Sequence, residues 1–260
     1  MAAVVPVADP TFLSWLQALA QRHLSNLSFA EVRRGIQALS AWYVERRDRA
    51  RPGIAFDGRG KRAAFALFYT PLHYLTVAGI VEATGLAAER PTGILDLGCG
   101  TGPAGAAWSR GFSGGPVGVV GADTSGWTAG EARWNWARLG VPGTTRRSDL
   151  TRVRIGRRRA VVLAWVVNEL SAGDRVRLAG TLVAAIERGA SVLVVEPIAR
   201  SVVPWWDEWT RLFERAGGRA DTWRFACELP EPLRSLDRAA ALDHRELTAR
   251  SLCVQSRPSS

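Results

Sequence analysis

The clearest chemical pattern in the chain is Ile94-Leu-Asp96-Leu-Gly98-Cys99-Gly100-Thr-Gly102-Pro103. An apolar run ends in an acid and then a turn with glycine at every second position. The proline that follows suits the first turn of a helix. Glycines in such a turn permit tight backbone conformations and let a ligand come close to the main chain. The next helix offers a positive dipole end and unpaired N–H groups, suited to a carboxylate. Ligands of open α/β sheets bind beyond the carboxyl ends of the strands, which is where this turn falls.

Further candidates close the later apolar runs. Asp123 ends Val117-Gly-Val-Val-Gly-Ala-Asp123, where a carboxylate can accept both hydroxyls of a ribose. Its other use is to cap the helix beginning near Gly126, a task open equally to Thr124 or Ser125. Ser148-Asp149-Leu150 ends a short third strand and also reads as an ordinary turn. Val161-Val-Leu-Ala-Trp165-Val-Val-Asn168-Glu169-Leu170 ends in groups able to orient a substrate or accept a proton. Glu169 fits a helix start equally well. Trp205-Trp206 and Trp209 follow the fifth run, and aromatic faces there can stack on a base or fill a core. A rival fingerprint overlaps the glycine turn. Gly100-Thr-Gly102-Pro-Ala-Gly105 fits the dinucleotide pattern GxGxxG, with Asp123 at about the expected distance. In that pattern the first glycine follows the strand directly, whereas Asp96, Gly98 and Cys99 intervene here. The acid also suits a cationic amino-acid ligand better than a pyrophosphate.

These residues need elements to hold them. Apolar runs at Gly93–Leu97, Val117–Asp123, Ala160–Val167 and Ala190–Glu196 predict strands buried on both faces of a parallel sheet. Helical segments, Pro103–Arg110, Thr128–Leu139 and Asp174–Arg188, separate them, so the expected fold is α/β, a doubly wound and mostly parallel seven-stranded sheet. Thr222–Cys227 and Leu247–Val254 are late strands, read as a hairpin at the sheet edge, and Arg257-Pro-Ser-Ser as a frayed tail. Residues 10 to about 48 carry helical spacing, as in Phe12, Trp15, Leu16 and Leu19. A Gly- and Arg-rich stretch from Arg51 to Lys61 breaks this block from a second helical one at 63–86, interrupted by Pro71. The division expected is a helical region over 1–89 and a ligand-binding domain over 90–256.

Composition narrows the class. At 260 residues, 47% hydrophobic and 22% charged, the chain reads as an ordinary globular protein. No run approaches the roughly 20 apolar residues of a membrane span. The first twenty residues lack the basic start of a secretory or transit peptide, so the expected compartment is the cytoplasm. Three scattered cysteines, Cys99, Cys227 and Cys253, give no metal spacing, and no metal is expected. The net charge is +10, nearly all arginine, clustered in Arg46–Arg62 and Arg146–Arg159. Such charge favours polyanions, although a GC-rich genome would produce an arginine-rich chain too.

The glycine turn and its acid resemble motif I of class I S-adenosylmethionine-dependent methyltransferases. By that resemblance Asp96, Gly98, Cys99, Gly100 and Gly102 cradle the methionine part of S-adenosylmethionine. Asp123, with Thr124 beside it, would hold the ribose, and Asp149 and Leu150 would meet the adenine. Trp165 counts with the cofactor contacts, and Asn168 and Glu169 are the catalytic candidates. Asn168 is not followed by the Pro-Pro-aromatic sequence of DNA-base amino methyltransferases. A closer resemblance is to the mitochondrial small-ribosomal-subunit methyltransferase-like family and its bacterial relatives. It is carried by Tyr69-Thr-Pro71, Val167-Asn-Glu-Leu170, Val195-Glu-Pro197 and Ala249-Arg-Ser251. It implies RNA or the small ribosomal subunit as partner, but the iron–sulfur cysteine cluster of some members is missing here. The leading expectation is methyl transfer to RNA or a ribosomal component. The alternatives are a ribosome-assembly or RNA-binding factor without turnover, a small-molecule methyltransferase and an NAD-binding protein.

Overall fold

The computed structural model describes residues 9–45, 58–156 and 159–256. Most of the first arginine cluster, Arg157 and Arg158 of the second, and the Arg257 tail lie outside the described residues. Three N-terminal helices come first: α1 (Pro10–Leu24), α2 (Phe29–Glu45) and α3 (Arg59–Ala64). Asp9 caps α1 by accepting the Thr11 N–H at 2.9 Å. Ser28 and Glu31 form a reciprocal box at the start of α2, with Glu31 accepting the Ser28 N–H at 2.8 Å. One wide π turn, Phe65–Tyr69, joins α3 to α4 (Thr70–Thr84). Pro71 therefore does not break the helix. It falls in the first turn of α4, where a missing donor costs least. The continuous helix Arg59–Thr84 has the length and hydropathy of a membrane span, but 83% of its apolar window is buried inside the fold. Its apolar surface is core.

The sheet contains β1 (Ile94–Leu97), β2 (Val119–Asp123), β3 (Gly143–Arg147), β4 (Ala160–Ala164), β5 (Ser191–Glu196), β6 (Arg219–Ala226) and β7 (Glu246–Val254). Their order is β3-β2-β1-β4-β5-β7-β6, with β6 and β7 antiparallel to each other and β7 antiparallel to β5. The sheet is thus seven-stranded, doubly wound and mostly parallel, as expected. Between the strands run α5 (Pro103–Arg110), α6 (Gly126–Arg138), α7 (Ala172–Glu187), α8 (Trp206–Arg215) and α9 (Leu233–Ala239). The late pair is not simply an edge hairpin, because β7 is interior and only β6 lies at the edge. The fourth strand is shorter than its apolar run because Trp165 turns to φ +56, which leaves the extended region.

Each face of the sheet has its own core. One unites Phe12, Trp15, Ile36, Phe68 and Ile80 of the N-terminal helices with Ile94, Trp108, Val119 and Val162. The other packs α7 and α8 through Leu178, Leu182, Trp209 and Phe213 onto Val161, Leu163, Val192 and Val194. Trp205 and Trp206 belong to this second core and are buried, which makes packing their role.

Candidate functional site

The glycine turn after β1 is shaped by three left-handed residues, Gly98 at φ +68, Gly100 at +51 and Gly102 at +82. Two of them are required by neighbours within the protein. A Cβ on Gly98 would fall 2.4 Å from Val166 Cγ2, and one on Gly102 would fall 2.6 Å from Trp136 Nε1. A Cβ on Gly100 would meet nothing within 4 Å. Gly100 is thus the place where the main chain of the turn faces open space. The Cys99 side chain goes the other way, into the core against Gly121, and burial raises its thiol well above the usual range.

Hydrogen bonds fix the turn from three directions. The Gly98 and Cys99 N–H groups donate to Ala122 O at 2.8 and 3.2 Å. The Thr101 hydroxyl meets that of Thr70 at 2.7 Å, which docks the π turn and α4 onto the loop. Asn135 of α6 donates to Thr101 O and accepts the Trp15 indole N–H, both at 2.9 Å. A line of buried bonds therefore runs from α1 through α6 to the turn and on to α4.

Beneath the turn lies Asp96, 1% exposed, whose Oδ2 accepts the Gly105 N–H at 2.9 Å. Burial raises its carboxyl to about 7, the nearby Asp123 charge adding to the effect. Asp123 is engaged as well. Its Oδ1 accepts the Ser125 N–H at 2.8 Å and the Thr128 hydroxyl at 3.0 Å, and its Oδ2 accepts the Gly100 N–H at 2.9 Å. Ser125, not Asp123, is the cap of α6. A carboxylate offers about four lone pairs, so Oδ2 keeps one free beside the open face of Gly100. Thr124 is exposed next to it.

Asp149 is exposed and turned to local use. It caps the short turn Leu150–Arg152, accepting the Thr151 N–H and hydroxyl at 2.9 and 2.7 Å, and those bonds lower its carboxyl. Leu150 is half-buried against the second core. Both stay next to the site because the Ser148 N–H donates to Asp123 O at 3.1 Å.

The end of β4 forms the opposite wall. The positive φ of Trp165 is a strained conformation for a large side chain, and such strain is held only where surroundings over-determine it. Here the indole stacks on His73 of α4, ring centres 3.7 Å apart and planes 11° from parallel. Tyr69 stands beside His73, ring centres 6.3 Å apart. His73 is half-buried and Glu169 exposed, yet protein surrounds both closely enough to shift their protonation. Desolvation lowers the imidazole to about 3, so it is neutral. Desolvation, aided by the Asp123 charge, raises Glu169 to about 7. Burial raises the Tyr69 phenol to about 12, although Ser40 hydrogen-bonds it.

Below this wall is Glu196 at the end of β5, fully buried. Its Oε1 accepts the Val167 N–H at 2.8 Å, yet burial and the Glu169 charge raise it to about 8. Glu196 Oε2 and Asn168 Oδ1 are both buried without a hydrogen-bond partner. Thus the structure gathers Asp96, Gly98, Gly100, Gly102, Asp123, Trp165, Asn168 and Glu169 at the carboxyl edge of β1, β2 and β4. It leaves Asp149 at the rim and Cys99 in the core. The sequence reading missed His73, Tyr69 and Glu196. Tyr69 and His73 are four residues apart, so one helix face carries both.

No family model matches the sequence, and no curated protein matches it. Solved structures do match. Mitomycin 7-O-methyltransferase is 13% identical, with 96% of this chain and 69% of that one covered at a TM-score of 0.52. Magnesium protoporphyrin IX methyltransferase from Synechocystis, solved with bound S-adenosylmethionine, is 14% identical over 88% of this chain and 98% of its own, at 0.45. Several of the structural neighbours are methyltransferases, and at these identities the likeness is one of fold.

Proposed function

We propose that this chain is an S-adenosylmethionine-dependent methyltransferase acting in the cytoplasm on RNA or a ribosomal component. The observation that carries the cofactor is electrostatic. In a chain of net charge +10, the carboxyl edge gathers Asp96, Asp123, Glu169 and Glu196. They lie near enough that Asp123 raises Asp96 and Glu169, and Glu169 raises Glu196. Among the described residues none of the four is in an ion pair. Such a pocket attracts a ligand bearing a sulfonium and an ammonium, and it repels the pyrophosphate of a dinucleotide. The residues fit that ligand in detail. Gly100 offers open main chain, Asp123 Oδ2 a spare lone pair for a ribose hydroxyl, and Asn168 Oδ1 an unmet acceptor.

When bound, the cofactor supplies an electrophilic methyl group on a positive sulfur. The protein's part is to align the attacking atom with that group and sulfur in a line. Trp165, held by His73, and the turn through Asn168, held by Glu196, form the wall against which an acceptor would lie. Neutral His73 adds no charge that would repel the sulfonium. Glu169, with its carboxyl at about 7, suits uptake of a proton from a hydroxyl or protonated amine near neutral pH. The helices of residues 1–89 act in this reading as a cover over the cofactor domain of residues 90–256, with Thr70 and Arg62 reaching the rim. The RNA acceptor is supported by the charge excess. The finer kinship with the small-ribosomal-subunit family is supported by its segments at 69–71, 167–170 and 195–197, which border or support this wall.

Calorimetric and thermal-shift titration with S-adenosylhomocysteine tests the reading. Wild type is expected to bind, and Asp123→Ala to lose at least tenfold in affinity, in line with about 1.5–3 kcal/mol for hydrogen bonds to a charged group. Unchanged binding by the variant would overturn the assignment of the ribose end.

A further inference from the structure

The positive charge is unevenly placed. Residues 46–62 hold seven cations and two acids and residues 146–159 hold seven arginines and one aspartate, so these 31 residues carry +5 and +6 while the other 229 together carry −1. A GC-rich genome would spread the excess along the chain. This excess is confined to two segments, and described residues of both lie beside the cleft.

β3 is the outermost strand of the parallel part of the sheet. Arg146 and Arg147 are exposed on it, Arg152 and Arg154 on the segment after it, and Arg133 and Arg138 on α6 alongside. The Arg133 guanidinium donates to the Thr145 hydroxyl of β3, which ties the two elements into one surface. Within this group of six, and among the described residues, only Arg152 has an acidic partner, Asp149 at 3.7 Å. Arg147 is the register neighbour of Asp123, so the basic face begins at the wall of the acidic cleft. The described end of the first basic segment, residues 58–62, reaches the same rim. Its Arg62 lies over Trp127 at 5.5 Å, one residue before Thr128, whose hydroxyl donates to Asp123.

We infer that this rim, centred on the β3 edge, docks the phosphodiester backbone of a nucleic acid beside the cleft. The inference rests on the nucleic-acid acceptor proposed above and gives it a location. A negative cleft inside a positive rim separates the two ligands by charge. The cationic cofactor is drawn inward and the polyanion is held at the mouth. Phosphate contacts of this kind fix position without reading sequence, so one strand can be presented to the cleft at many sites.

The test uses the full chain and short fluorescent single strands of RNA and of DNA, measured by anisotropy across a salt series. Arg146, Arg147, Arg152 and Arg154 are changed together to Gln. A charge-matched control changes Arg188, Arg211, Arg215 and Arg238, all exposed elsewhere. The β3 variant is expected to bind at least about tenfold more weakly, with its log affinity against log salt slope reduced by about 3, some 0.7 for each phosphate contact given up. The control is expected to stay close to wild type. Equal losses in both variants, or no loss in either, would overturn the inference. So would tighter binding to phosphatidylserine vesicles than to either nucleic acid. Titration of the same variants with S-adenosylhomocysteine separates the two readings, because the docking surface can fail while the cleft still binds.

Discussion

The buried acids make stability fall as pH rises through neutrality, and the size of the fall follows from the structure. Asp96 and Glu196 titrate at about 7 and 8 in the folded protein, against ordinary values of 3.8 and 4.5. A carboxyl with a raised folded value holds its proton in the native state after the unfolded chain has lost it. The native state therefore binds more protons, and stability declines with pH until the folded value is passed. His73 works in the opposite direction. Its folded value of about 3 against 6.5 makes stability rise between those limits and stay level above them. The window pH 6.5 to 8 crosses both acids and holds only the tail of the imidazole titration, which offsets roughly 0.4 kcal/mol. Integrating the proton difference over that window, at about 1.36 kcal/mol per pH unit and bound proton, gives a loss of roughly 2 kcal/mol, two-thirds of it from Glu196. Glu169 shifts in the same sense, but its accessible side chain is left out of the sum because solvent screens it. Urea unfolding at the two pH values measures the change, and Glu196→Gln should remove most of it. A midpoint that stays level or rises from pH 6.5 to 8 would refute the account of a desolvated acidic cleft.

Two glycines in one turn should respond differently. Gly98→Ala drives a methyl into Val166 and should destabilise the fold by about 1–3 kcal/mol in urea unfolding, as overpacking does. Gly100→Ala meets only open space and should cost about 1 kcal/mol for its left-handed backbone. Its methyl, however, stands where the ligand must approach, so calorimetry should show S-adenosylhomocysteine binding weakened at least about tenfold. Wild-type affinity in Gly100→Ala would contradict the cradle. Asn135→Ala strands the buried Trp15 N–H and Thr101 carbonyl. The expected loss is roughly 2–5 kcal/mol in denaturant, with weaker cofactor affinity through the loosened turn.

Much of the sheet was legible because parallel strands buried on both faces spell out as apolar runs. The turn at Gly98–Gly102 was legible because acid, glycine spacing and proline agree. Side-chain direction was less so. Asp123 ends its strand as expected, yet three donors engage it that no spacing rule announces. Cys99 shares the turn with its glycines but points into the core against Gly121, a direction set by the left-handed turn before it. The extent of β4 was overread because Trp165-Val-Val continues the apolar run while the backbone leaves the extended region at Trp165. His73 and Glu196 were missed for a physical reason. Their importance lies in how deeply neighbours from distant segments enclose them, and that enclosure is tertiary. The tryptophan pair at 205–206 shows the converse. Residue type suggested stacking on a base, and packing used both indoles inside.

The position of β7 has a consequence for how the molecule comes into being. β7 is synthesised after both of its neighbours, yet it is threaded between β5 and β6 and faces both cores through Ala249 and Leu252. Until residue 254 is free of the exit tunnel, β5 has a bare flank and β6 has no neighbour at all. Earlier helices and strands can collapse but cannot close, and exposed strand flanks of this kind invite misassociation. Truncation ahead of Ala249 would remove an interior stave of the sheet.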